Sequence, residues 1–98
     1  MSRAYTPEEV RTQVIDNIKS LVNYWEGQAN TSHEKLDGLA FSILSMIDGN
    51  GELPAFDLIP SPHPTDKPCH IEEGNNYYEP VVMNNCQLHE VYSNIHIK

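Results

Sequence analysis

Six of the seven prolines fall between residues 54 and 80. This placement constrains the fold more than any other feature. Proline has no backbone N–H, and its ring clashes with the preceding helical turn. The stretch SPHPTDKP, with a proline at nearly every second position, is therefore expected to be non-helical. LPAFDLIP just before it is apolar and bracketed by prolines, so it reads as a short extended segment with Phe56, Leu58 and Ile59 as anchors.

The first half carries opposite signals. Thr6-Pro7-Glu8-Glu9 combines a capping threonine, a proline suited to the first helical position and a glutamate that completes a capping box. Val10, Val14, Ile18, Leu21, Val22 and Trp25 then recur at steps of three and four. They cover an arc of about 120–140°, a normal core-facing stripe. Gly27 is the expected stop. Thr31-Ser32-His33-Glu34 is a second capping box, followed by Leu36, Leu39, Ala40, Ile43, Leu44 and Ile47. This arc is wider, about 160–220°, and a helix that apolar needs cover on two sides. The short link between the stripes implies antiparallel neighbours. Gly49-Asn50-Gly51 is expected to end the second helix.

Signals weaken after residue 51. Cys69 to Ile71 is expected to be briefly extended and Glu73-Gly74-Asn75-Asn76 to turn. Residues 84–93 suit a short helix capped by Asn84 or Asn85, with Leu88, Val91 and Tyr92 inward. Ile95-His96-Ile97 alternates like a strand. The expectation is one small domain over 1–98, mainly α, with short β in the second half as the alternative. A two-helix hairpin, about 7–26 and 32–48 within 7–49, is covered by the wrapping segment 50–98.

Composition bounds function. The 98 residues carry a formal charge of −8, with −3 before residue 50 and −5 after it, and no Lys/Arg cluster. That balance repels phosphate backbones and disfavours direct nucleic-acid binding. It leaves solubility, a basic protein partner or mimicry of nucleic-acid charge. The apolar stretches are too short and interrupted to span a bilayer, and the N-terminus lacks the apolar run of a signal peptide. Cys69 and Cys86 make no disulfide scaffold, which suits a reducing, cytoplasmic compartment.

HPTDKPCHIEEG, residues 63–74, concentrates the residues capable of chemistry. Zinc needs three or four converging ligands. His63, Asp66, Cys69 and His70 are the local set, with Cys86 and His89 as a second pair that would share one helix face. No C-x-x-C or H-E-x-x-H spacing is present, so the polar-loop reading is preferred. Asp48-Gly49-Asn50-Gly51 resembles part of a calcium loop but lacks its first carboxylate and its exiting helix. Cys69 beside His70 is a sequence neighbour without an oxyanion site, and Glu72-Glu73 reads as a solvated face. No cofactor is expected. Tyr77-Tyr78 suits an interface, or one ring packed and one exposed.

HEKLDGLAFSILSMIDG, LPAFDLIPSPHPTDK and IEEGNNYY together resemble a family of short uncharacterised bacterial proteins, some carried on phage or other mobile elements. The resemblance covers about residues 24–92. It implies a bacterial cytoplasmic setting and transfers no activity.

The resulting expectation is a non-enzymatic binding or accessory protein, monomeric or weakly dimeric. Its protein partner is met by the 60–80 loop through His63, Asp66, His70, Tyr77 and Tyr78. One alternative is an acidic mimic of nucleic acid that inhibits a basic protein. The other is a metal-binding protein or metal-dependent enzyme using His63, Asp66, Cys69 and His70.

Overall fold

A computed structural model describes residues 2–94, and within them the protein is helical, with four helices and no strand. Helix α1 spans Pro7–Glu26 and α2 spans Ser32–Ile47, and the two pack together. Both capping boxes form. Thr6 Oγ1 accepts from the Glu9 N–H at 3.1 Å and Glu9 Oε1 accepts from the Thr6 N–H at 2.8 Å. Thr31 and Glu34 repeat the exchange at 3.2 and 3.0 Å.

Arg3 adds a bidentate clamp on Glu9, at 2.7 and 2.6 Å. The guanidinium first, then the Thr6 backbone N–H, hold the Glu9 pKa down at about 2. A depressed carboxylate pKa stabilises above the unfolded value and loses that contribution as pH falls through the folded one. The start of α1 is therefore expected to stay ordered between about pH 4 and about pH 2. Arg3→Ala should move its loss to higher pH, read by the exchange of the amides at 8–10.

Trp25 fixes how α1 meets α2. Its indole N–H donates to Ser42 Oγ at 3.0 Å. Its ring lies where a Cβ on Gly38 would stand, 2.5–2.7 Å away. Gly38 and Ser42, one turn apart, thus make a notch for the indole. Gly38→Ala should cost about 1–3 kcal/mol through the clash, against about 1 kcal/mol gained in helix propensity. A lower melting temperature and a shifted emission of the single tryptophan would report both effects.

α2 ends at Asp48, and Gly49 follows at φ +86° with Ala55 backbone 2.7 Å from where its Cβ would be. Only glycine suits both the left-handed turn and that close approach. The chain then reverses and the Phe56 N–H donates to Ile47 O at 2.9 Å. Phe56 and Leu58 are half-buried as anchors, while Ile59 is exposed.

Several sequence expectations for the second half are corrected. Residues 66–73 are helical: α3 spans Asp66–Glu73. Pro68 stands in its first turn, where the backbone N–H has no intrahelical partner to lose. Cys69 to Ile71 is accordingly helical, not extended. Gly74, at φ +76°, stops α3, with Gly74 N–H to Ile71 O and Asn75 N–H to His70 O. The last helix, α4, spans Leu88–Asn94 and is capped by neither Asn84 nor Asn85. Asp48 caps it instead, from the end of α2. Within α4, Leu88 and Tyr92 are half-buried but Val91 is exposed. Ile95-His96-Ile97 lies outside the described residues.

Asn84 has a different task. Its Oδ1 accepts from the Leu58 N–H and its Nδ2 donates to Phe56 O, both at 2.7 Å. The side-chain amide therefore substitutes for a peptide group alongside residues 56–58. The Met83 N–H extends the pairing to Leu58 O at 2.9 Å. Asn84 is buried, and the two bonds its side chain makes are part-buried.

Cover remains thin. Among the described residues Met46 is the one buried apolar residue, and Trp25 and Phe41 are only half-buried. α2 is the better covered of the two long helices, since no residue of α1 is buried. The radius of gyration is 17.4 Å, against about 13 Å for a compact chain of this length.

Candidate functional site

The residues singled out in 63–78 lie on an arm that leaves the α1–α2 pair after LPAFDLIP and returns at Met83. Asp66 and Thr65 organise its start. Asp66 Oδ2 accepts from the His63 N–H at 3.0 Å, and the His63 ring nitrogen Nδ1 lies 2.8 Å from Thr65 Oγ1. This is a local turn that begins α3. His63 is exposed and Asp66 half-buried.

On α3 the side chains diverge. Cys69 is exposed, with Sγ 3.8 Å from Glu73 Oε1. His70 is half-buried, and its Nδ1 has no hydrogen-bond partner. Among the described residues no group of three or more His, Cys, Asp or Glu converges on a common point. His63, Asp66, Cys69 and His70 are therefore neighbours in sequence that the fold does not bring together as ligands. Cys86 and His89 do not share a helix face either, because α4 begins after Cys86.

The returning stretch of the arm is held by Lys67. Its ammonium pairs with Glu79 at 2.6 Å and sits 5.1 Å above the Tyr77 ring. The Glu79 carboxylate raises the lysine pKa. Both partners are about half-exposed, so the pair orients the chain more than it stabilises it. Tyr77 is thereby partly covered, at 40% exposure, and Tyr78 is left open at 74%.

From Ile71 to Met83 every residue is exposed. Ile71, Tyr77, Tyr78, Val81, Val82 and Met83 are among them. Glu72, Glu73 and Glu79 interrupt this apolar series, and Pro80 fixes the backbone between its two halves. The arrangement offers aromatic and aliphatic contacts on a chain whose conformational freedom is already reduced.

A second constellation escaped the sequence reading. Asp48, buried at the end of α2, accepts from the Leu88 and His89 N–H groups at 2.8 Å each, and from His89 Nδ1 at 2.6 Å. Desolvation pushes the Asp48 pKa up, but the His89 backbone and side-chain bonds and the Leu88 N–H outweigh it, and the net shift is downward. The carboxylate has no exposed surface, and desolvation is the largest single influence on it, outweighed only by the donors together. The Phe41 ring meets the His89 ring edge-on at 5.4 Å, and Asn50 Nδ2 donates to Gln87 Oε1 at 3.1 Å. All of these contacts tie α4 to α2. The cluster is a joint between the two helices. Its only signal in the sequence is an aspartate at a helix C-terminus, where a negative charge is unfavourable without donors from elsewhere.

No helix among the described residues is long and apolar enough to cross a membrane. No known family, curated protein or solved structure matches this chain.

Proposed function

We propose that the protein is a non-enzymatic interaction module, with α1 and α2 as an antiparallel platform and the arm over residues 63–83 as its partner-binding element. The supporting observation is the unbroken exposure from Ile71 to Met83 of a segment carrying six large apolar side chains. A soluble domain covers such a series unless a second molecule does. His63 and Asp66 stand at the entry of the arm, Tyr78 is its open aromatic anchor, Tyr77 is exposed beside it under Lys67, and His70 is half-buried on α3. The partner this reading favours is a protein with a basic rim, since the chain carries a charge of −8.

The test separates binding from folding. Tyr78→Ser, Val81→Ser and Val82→Ser together remove exposed side chains only. The expected result is an unchanged melting temperature and loss of the protein that co-purifies with the wild type from its native host. Equal recovery of that protein by the variant would refute the arm as the binding element. Unfolding of the variant would show that these residues belong to the core.

A further inference from the structure

The α1–α2 pair retains an apolar face of its own, away from the arm. α2 has three sides to cover. One meets α1, where Trp25 lies against Gly38 and Ser42. A second meets α4, where Tyr92 bonds to Asp37 and His89 meets Phe41. The third carries Leu36 and Leu39. Beside them on α1 stands Val22, and the three line an apolar groove with Trp25 and, at its rim, Glu26 and Lys35. Leu36 is 66% exposed and Val22 44%.

We infer that a second copy of this chain covers that face, making a two-fold symmetric dimer in which two helix pairs close into a four-helix bundle. Three observations favour a second copy over an unrelated protein. The first is area. The chain exposes 7885 Å². A compact chain of 11.1 kDa exposes about 5,700 Å², so the excess is about 2,200 Å². A stable homodimer interface removes about 1,000 Å² or more from each copy. The excess accommodates one such interface and leaves the arm still exposed.

The second observation is charge. Glu26 and Lys35 occupy the same rim, and Lys35 Nζ reaches only the Glu26 carbonyl, at 3.1 Å. The Glu26 carboxylate is thus free to face Lys35 of the other copy across a two-fold axis, and the reverse pair forms by symmetry. A wholly acidic rim would instead have opposed self-association of a chain at −8. The third is shape. The molecule is 20 Å thick against 52 and 51 Å in its other dimensions. Domains are built from packed layers around a core, and a second copy supplies the missing layer.

The experiment is light scattering on the full chain at up to about 100 µM, which reveals association tighter than that value. The expected mass is twice 11.1 kDa. Val22→Lys with Leu36→Lys should give the mass of one chain with the helical circular dichroism retained, because both positions are exposed. Should that variant unfold, Leu36→Cys in a Cys69→Ser, Cys86→Ser background provides the second measurement. Oxidation should cross-link it to a dimer at least ten times faster than the matching Ile71→Cys chain on the arm. A wild type at the mass of one chain, a trimer or larger assembly, a folded lysine variant that remains dimeric, or equal cross-linking at both positions would each overturn the inference.

Discussion

Asn84→Ala is expected to destabilise the chain by about 2–6 kcal/mol. Truncation leaves the Leu58 N–H and the Phe56 carbonyl without partners in a part-buried setting. Each orphaned group costs about 1–3 kcal/mol, more than the net worth of the bond it made. At about 4–8 °C per kcal/mol for a domain of this size, the melting temperature should fall by at least about 8 °C. Asn84→Asp separates the two bonds, because it keeps an acceptor for Leu58 but turns an oxygen toward the Phe56 carbonyl. It is expected to be at least as damaging as alanine. A melting temperature within about 2 °C of the wild type for either variant would mean that residues 56–58 are not held through Asn84.

Asp48→Ala is expected to release α4 from α2. The substitution removes a helix cap, worth about 0.5–2 kcal/mol, and the buried partner of His89, worth about 1–3 kcal/mol. Amide exchange at 88–93 should accelerate toward the open rate while α1 and α2 remain protected. Asp48→Asn keeps one acceptor oxygen and should fall between the two. The same carboxylate sets an acid limit. Because its folded pKa is lowered, its stabilising contribution is complete above the unfolded value, near 3.9, and is lost as pH falls through the lower folded one. Protection of α4 in wild type should therefore persist to about pH 4 and fail below it. An acid loss of α4 protection just as steep in Asp48→Asn, which has no carboxylate there to titrate, would contradict this assignment.

These two joints explain why the first half of the fold was legible in the sequence and the second was not. Thr6 with Glu9 and Thr31 with Glu34 act over three residues, so both helix starts can be read directly. Asp48 reaches donors 40 and 41 residues away, and Asn84 spans 26 and 28. No local pattern reports such partners. Asn84 reads locally as a helix cap, and only the fold shows it clamping an extended segment. Gly38 is silent for the same reason, since Trp25 reaches it from the other helix.

Pro68 hides α3 from any reading that takes every proline as a helix breaker. Pro68 forbids a helix that continues through it from upstream, but not one that begins two residues earlier. Gly74 and the Asn75 N–H to His70 bond, which close α3, were read only as a turn. The candidate site divided along similar lines. Tyr78 is exposed and Tyr77 partly covered, while the metal set, neighbours in sequence, is spread over a turn and a helix. The six apolar positions of the arm lack a helical or strand period, so their shared exposure had no signature of its own.

Photocrosslinking in living cells tests the binding account most directly. A photoreactive amino acid at Tyr78, in the native host, is predicted to trap one specific protein, while the same group at exposed Asp16 on α1 traps none. The same capture at both positions, or capture at Asp16 and none at Tyr78, would show that the arm is not where this protein meets its partner.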